Sequence, residues 1–401
     1  MALALLGTGT ALTEAILPNT NTGITVRRTH IMNKKNLVKK ALAGIFACAI
    51  IGSSALPAAQ QGVSLFPLSI SASAASGTYS LSNGVLTLGG TIEKSKVQAY
   101  ANDKKGTVNS VVCKAGTSFP PDCDEMFEGF NAKTINLSNA NVRNVKSMYQ
   151  MFAYCVNLTT LKLDNWVTSS CTDMNGMFRN CYELKSLDLR SFSTGNVTDM
   201  AFMFDYCSAL EDVDLSSFNT SSCTNMQMMF QNCSNLTSVR GWYWDTSKVT
   251  KMNCMFENCY NLTTISFLNG INTANVTDMS SMFNCCTSLT SLNIVKKFNT
   301  AKVTNMRDMF RGCTNLKTLD LRSFNTAKVT DMISMFDGCT NLTTIKASAQ
   351  FATGQVKWDT NMFQGCSKLV GGNNTRCNGV NYIGKTYARI DKVGQKGYFT
   401  A

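Results

Sequence analysis

Seventeen cysteines and twenty-one methionines stand beside one histidine in this 401-residue chain. Thiolate, thioether and imidazole are the groups that hold soft metals and build nucleophiles, so their spacing decides which chemistry is open. Nine cysteines (Cys155, Cys181, Cys207, Cys233, Cys259, Cys286, Cys313, Cys339 and Cys366) recur every 26 or 27 residues, each four residues after the methionine of a Met-Phe pair. Zinc and redox sites want close pairs such as Cys-x-x-Cys, and none occurs. A thiol repeated at one frame position reads as a small apolar core residue, and Cys171 and Cys223, which replace a recurring valine, read the same way. The methionines after residue 120 fall almost entirely in the same frame as packing residues. No metal and no cofactor is expected.

Acid and base chemistry fares no better. His30 lies upstream of a segment with the form of an export signal, so the exported chain has no histidine and no Ser-His or Cys-His nucleophile. Asp173, Asp199, Asp278 and Asp331 share one frame position, where a carboxylate caps free backbone donors; Asp188, Asp214 and Asp320 share another, outward in a strand. A catalytic pair is normally singular, whereas these recur, so no catalytic residue is expected and a glycosidase-like enzyme is the least favoured of three readings.

The elements that hold these residues are repeats. A Met-Phe pair returns at Met126, Met151, Met177, Met203, Met229, Met255, Met282, Met309, Met335 and Met362, at intervals of 25 to 27 residues. Within one unit, Val197, Met200, Met203, Phe204 and Cys207 are spaced by three or one, which predicts a short helix; Leu210, Val213 and Leu215 end in alternation, which predicts a short strand. Such a unit cannot bury its own apolar face and must stack on neighbours. The expectation is therefore an α/β fold: a right-handed solenoid of about ten coils, each a short helix plus a short strand, with small terminal caps and a length of roughly 45 Å at about 4.8 Å per coil.

The ends differ in kind. Residues 32–76 run from a four-lysine segment through an apolar stretch from Ala41 to about Ala55 and on to small residues, the layout of a secretory signal, with cleavage after Ala59 or Ala74. A membrane anchor is the alternative, although the apolar stretch is shorter than the ~20 residues a spanning helix needs. Met32 is then the expected start, and residues 1–31 an upstream extension. Residues 77–122 read as an N-terminal cap, 123–370 as the solenoid and 371–401 as a C-terminal cap. Export permits disulfides, so Cys113 with Cys123 is one open pairing and Cys377 a further candidate. Setting residues 1–76 aside reduces the charge excess from +12 to +7, with no Lys/Arg run longer than two, which gives no footprint for nucleic acid.

The pattern Leu-x-x-Leu-x-Leu-x-x-Phe-x-Thr-x-x-Val-Thr-x-Met-x-x-Met-Phe-x-x-Cys resembles the BspA-like leucine-rich-repeat surface proteins of bacteria. Tyr387-Ala-Arg-Ile-Asp391 with Gly397-Tyr-Phe-Thr400 is similar to the ending of many such chains. Trp166, Phe192, Phe218, Trp244, Phe298 and Phe324 stand where ordinary leucine-rich repeats place asparagine. The resemblance implies a leucine-rich-repeat-like solenoid on an exported protein that binds host or neighbouring-cell proteins, and it carries over no catalytic residue.

Function is then expected on the strand side, where variable positions align into a face. The position between the core residues reads Lys162, Asp188, Asp214, Arg240, Ser266, Asn293, Asp320 and Lys346. The fourth unit departs most, with Gly241 in place of a core leucine and Trp242 and Tyr243 beside Arg240. Arg190, Asp214, Arg240, Trp242 and Tyr243 are the expected partner site, because Trp, Tyr and Arg dominate interface hot spots. The competing reading makes Trp242 a packing repair for the volume Gly241 leaves. The overall expectation is a secreted or cell-surface binding and adhesion protein recognising an extracellular protein, with no nucleic-acid partner and no membrane span in the mature chain. The alternative is a cell-wall or polysaccharide-binding structural protein, which exposed aromatics in several coils would favour.

Overall fold

Short runs such as Thr134-Ile-Asn and Thr344-Ile-Lys put one β-branched or leucine side chain inward between two polar residues, which suits a strand only three or four residues long. The computed structural model describes residues 75–103, 107–241, 244–267 and 271–401. Residues 1–74, which hold the expected upstream extension and all but the last two residues of the expected export segment 32–76, lie outside the described residues, as do Trp242 and Tyr243. Strands β1 (Thr78–Ser82) and β2 (Val85–Gly89) form an antiparallel hairpin, and helix α1 (Lys94–Asp103) follows. Next come β3 (Ser110–Cys113), β4 (Thr117–Ser118), β5 (Thr134–Asn136), β6 (Ala140–Asn141) and β7 (Thr160–Lys162). Then follow β8 (Asp212–Asp214), β9 (Ser238–Gly241), β10 (Thr264–Phe267), β11 (Thr318–Leu321), β12 (Thr344–Ala347) and β13 (Phe399–Thr400).

Every pairing between the named strands after the hairpin is parallel: β2-β3-β5-β7, then β8-β9-β10, then β11-β12-β13. The sheet thus runs unbroken from the 77–122 segment into the repeats. Two coils interrupt it: Ser186-Leu-Asp188 forms no strand, and Asn293–Lys297 is a 3-10 turn. A second line of parallel bridges, from Asp122 through Ser147, Asp173, Asp199, Asn225, Lys251, Asp278, Asn305 and Asp331 to Trp358, joins every coil without interruption. The architecture is a β-solenoid of about ten turns with little helix.

The expected helix in each coil is not there. Among the described residues the only α-helix is α1, and the Met-x-x-Met-Phe segment is a chain of tight turns. Alternate residues close four-residue β-turns within the coil, as in Met151 N–H to Met148 O and Ala153 N–H to Gln150 O (3.2 and 2.9 Å). The residues between them donate to the next coil, as in Gln150 to Asn175 O, Phe152 to Met177 O and Tyr154 to Arg179 O (2.8 to 2.9 Å). Turning alternate N–H groups sideways requires a left-handed residue at every fourth position. The residue before each repeated Met and the residue before each column Cys supply it, for example Gln150 and Tyr154, Met228 and Asn232, Ser334 and Gly338 (φ 49 to 74°). A helix would spend these donors internally; the turn ladder spends them on the neighbouring coil.

Side chains stack with the coils. Phe127, Phe152, Phe178, Phe204, Phe230, Phe256, Phe283, Phe310, Phe336 and Phe363 form one continuous ladder, with successive ring centroids 5.3 to 5.9 Å apart and ring planes 3 to 21° from parallel. The nine column cysteines are buried, and each Sγ–H donates to the carbonyl of the ladder phenylalanine below (3.0 to 3.2 Å). Burial pushes the Cys155 and Cys313 thiols up to about 12, so they stay protonated and inert. The sixteen described cysteines are all free thiols. Cys113 and Cys123, the open disulfide pairing, are two of them, each buried; Cys123 Sγ donates to Pro120 O at 3.2 Å.

A further ladder escaped the sequence reading. Thr194, Thr273 and Thr300, fully buried, each donate Oγ1–H to a backbone carbonyl of the next coil and accept the N–H of that same residue (Asn219, Asn299 and Asn325, 2.7 to 2.9 Å). One hydroxyl there replaces a missing peptide partner. The segment 371–401 packs on the last coil: Gly379 O and Ile383 O accept the N–H groups of Gly365 and Phe363, β13 extends the sheet, and Tyr398 and Phe399 pack edge-on against Phe363.

Candidate functional site

Strand alternation builds the face. Ile135, Leu161, Val213, Val239, Leu319 and Ile345 point inward, and the residues on either side of each point out. Parallel register turns those outward residues into two columns. One carries hydroxyls at Thr134, Thr160, Ser186, Ser238, Thr264, Ser291, Thr318 and Thr344, with Asp212 as its single carboxylate. The other carries Asn136, Lys162, Asp188, Asp214, Arg240, Asn293, Asp320 and Lys346, polar throughout and mixed in sign.

Asp212 marks the place where the face changes character. Arg240 Nη2 bonds Asp212 Oδ2 at 3.0 Å, and Arg240 Nε lies 3.9 Å from Asp214 Oδ2. Arg190 grips Asp188 of its own coil through Nε and Nη2 (2.9 and 2.6 Å). These five charges, with Ser186, Leu187 and Leu189, line a shallow cleft of about 340 Å³ where the coil at 186–188 forms no strand. The structure brings Arg190, Asp214 and Arg240 into one cleft and adds Asp188 and Asp212. The carboxylate in a hydroxyl column was the signal for Asp212.

The ion pairs keep the cleft carboxylates charged. The Arg190 guanidinium holds the Asp188 carboxyl down at about 2, and Asp214 is held low by Ser216 first and then by Arg240 and Arg190. Asp188 is therefore ionised at neutral pH. Exposed ion pairs of this kind contribute only ~0–1 kcal/mol each to stability, so exchanging them for a partner's charges costs the fold little. Among the described residues no group of three or more His, Cys, Asp or Glu side chains is placed to hold a metal ion, and no helix is long and apolar enough to cross a membrane.

Trp242 and Tyr243 lie outside the described residues, but the packing reason for Gly241 is visible. A Cβ on Gly241 would sit 2.7 Å from Trp244 Nε1, and Trp244 is 1% exposed. Trp244 packs into the space beside Gly241. The recurring aspartates at the start of the turn ladder act as local caps: Asp173, Asp199, Asp278 and Asp331 each accept the N–H two residues on (2.8 to 2.9 Å). On the turn segments, sequence reading missed four exposed tyrosines, Tyr154, Tyr182, Tyr206 and Tyr260, of which Tyr182 and Tyr206 meet edge to face at 6.3 Å.

A family model described as "Mycoplasma protein of unknown function, DUF285" matches residues 121–242, 185–291, 242–313 and 263–375, which together span more than half of the chain. No curated protein matches it. Among solved structures, a leucine-rich repeat protein from Eubacterium ventriosum shares 15% identity at a TM-score of 0.32, covering 73% of this chain and 87% of that one. A leucine rich cell surface protein from Faecalibacterium prausnitzii shares 16% identity at a TM-score of 0.27, covering 68% and 93%. The T. pallidum leucine rich repeat protein shares 16% identity at a TM-score of 0.17, covering 81% and 96%.

Proposed function

The chain belongs to the family described as Mycoplasma protein of unknown function, DUF285, and from that premise and the geometry we propose that it is an exported, non-enzymatic binding protein. In this reading it recognises an extracellular protein through its strand-side face, and it acts at the cell surface or after release, as the BspA-like resemblance implies. The observation that carries the reading is the cleft at Asp188, Arg190, Asp212, Asp214 and Arg240. A smaller cleft of about 90 Å³ by Lys296, Asp320 and Lys346 marks the second interruption of the sheet, whereas three carboxylates and two guanidinia gather at the first. A rigid coil stack holds these groups in fixed register, so a partner pays little ordering entropy on the solenoid's side.

The test is retention of the full chain on immobilised purified extracellular-matrix proteins, run beside Asp212→Ala, Arg240→Ala as a double variant. A matrix protein that holds the parent chain and releases the variant, at unchanged thermal midpoint, supports the reading. Equal retention of both removes the cleft from the site.

A second reading has its own observation. Four tyrosines at 38 to 44% exposure offer ring faces across several coils, which is what a polysaccharide-binding surface needs. Retention on cell-wall polysaccharide that Tyr182→Ala, Tyr206→Ala abolishes, with no matrix protein bound, would favour it.

A further inference from the structure

Residues 371–401 hold five basic residues (Arg376, Lys385, Arg389, Lys392 and Lys396) against Asp391 alone, so +4 of the chain's excess positive charge gathers in its last 31 residues. The fold concentrates it further. Arg376, Arg389, Lys392 and Lys396 line a cleft of about 790 Å³ with Asn373, Asn374, Thr375 and the tyrosines Tyr382, Tyr387 and Tyr398. No carboxylate lines it. Asp391 is buried beneath, where its oxygens accept the N–H groups of Asn373, Thr375 and Gly397 and the Thr375 hydroxyl (2.7 to 3.2 Å). Its charge is thereby spent on folding the loop. None of the four lining cations forms an ion pair with an acid among the described residues; Arg389 Nε is tied to Lys396 O at 2.8 Å, which fixes its guanidinium at the rim.

The aromatic part is preorganised. Tyr387 stacks on Tyr398 (centroids 4.9 Å apart, planes 21° from parallel), Tyr382 meets Tyr387 at a tilt of 50° with centroids 5.3 Å apart, and Tyr398 Oη donates to Tyr382 O at 3.1 Å. Buried Tyr398 anchors the stack, and Tyr382, 69% exposed, presents a ring to solvent from a left-handed backbone position (φ 60°). The exposed Tyr382 ring and the four cations without acid partners thus line one cleft.

We propose that this cleft is a second binding site, for an acidic polysaccharide: the exposed Tyr382 ring takes the apolar face of a sugar, Asn373, Asn374 and Thr375 take hydroxyls, and Arg376, Arg389, Lys392 and Lys396 take carboxylate groups. Planar guanidinium matches carboxylate in two-point contact, and the two lysines add point charge. Amides and a hydroxyl among the cations favour a glycan over a polyanion recognised by charge alone. The inference is independent of the strand-face site, which shares no residue with this cleft.

The experiment titrates the full chain by calorimetry with oligogalacturonate, a DNA oligonucleotide of matched charge and neutral dextran. The expected result is binding of oligogalacturonate that falls with added salt, at least about tenfold tighter than the DNA, and no binding of dextran. Arg376→Gln, Lys392→Gln together, and Tyr382→Ala alone, should each weaken it by about tenfold or more at unchanged thermal midpoint, while Asp212→Ala, Arg240→Ala leaves it intact. Equal affinity for DNA and oligogalacturonate, no binding of oligogalacturonate, or binding indifferent to both cleft variants would overturn the proposal.

Discussion

Gly338→Ala separates a turn ladder from a helix by the sign of its effect. Gly338 sits immediately before column Cys339, at φ 74°, with its N–H donated to Gln364 O of the next coil at 2.8 Å. A methyl group at this position would lie 3.5 Å from Gly312 Cα, an ordinary contact, so sterics between coils add nothing and backbone conformation decides. A left-handed backbone costs a non-glycine residue roughly 1–2 kcal/mol, only partly offset by the stiffer unfolded chain, so alanine should destabilise by about 1 kcal/mol. Within a helix the same change would stabilise by about 0.8–1 kcal/mol, which leaves the two geometries about 2 kcal/mol apart. Asparagine tolerates the left-handed region better, and Asn180, Asn232 and Asn258 occupy this column in other coils at φ 59 to 60°. The ladder therefore ranks glycine above asparagine above alanine, and a helix reverses that order. Urea unfolding of the full chain, followed by circular dichroism, reads the ranking from midpoints. A midpoint that rises for Gly338→Ala, or an alanine variant more stable than the asparagine variant, would refute the left-handed column.

Three further outcomes follow from the same geometry. Thr194→Val is nearly isosteric yet strips Asn219 N–H and O of their shared partner, so it should cost about 2–3 kcal/mol, more than Thr194→Ser, which keeps the hydroxyl and loses one methyl for about 1 kcal/mol; the opposite order in urea midpoints would make the column a packing feature. In native protein, a thiol reagent at pH 8 should modify no described cysteine except half-buried Cys254 and Cys285, and burial beside Glu257, which pushes Cys254 up to about 12, should make even that slow; mass mapping of labelled peptides checks it. Burial pushes the Asp391 carboxyl up, but its four donors outweigh this and hold it below the ordinary carboxylate range, so its stabilisation is complete above that range and is lost as pH falls through the lowered value. Hydrogen exchange across 371–401 should accelerate in that acid window for the parent chain, and Asp391→Asn should show fast exchange already at neutral pH.

Coil length, strand position and the inward columns were legible because a 26-residue period fixes which residues stack, whatever the local backbone does. The helix was misread for a physical reason. Steps of three and one, as in Val197, Met200, Met203, Phe204 and Cys207, arise from a helical stripe, but they arise equally from consecutive β-turns closed by hydrogen bonds between residues three apart. Periodicity cannot separate the two. The residue before the column Cys can: Asn180, Asn232, Asn258, Gly312, Gly338 and Gly365 are the types that accept positive φ, and their recurrence opposes a helix. The threonine ladder shows in sequence as a column, but its hydroxyls matter only because adjacent coils leave one backbone pair unmatched, a fact of stacking distance.

The same division explains the two clefts. On the strand side each residue's direction follows from alternation, so Arg190, Asp214 and Arg240 could be placed on one surface from sequence, and only the interruption of the sheet at 186–188 required the structure. At the C-terminal end no frame exists. Arg376 and Lys396 are twenty residues apart, and they share a rim because Asp391, buried between them, ties residues 373 and 375 to residue 397. One acid among five bases reads as a loss of charge in the sequence and acts in the structure as the pin that gathers the others. Its neutralisation should therefore weaken oligogalacturonate binding without touching a lining residue: Asp391→Asn should lower affinity together with order in 371–401, whereas Arg376→Gln, Lys392→Gln should lower affinity with that order intact. Affinity that survives Asp391→Asn would mean that the cations do not need this loop to converge, and the cleft as built would not be the site.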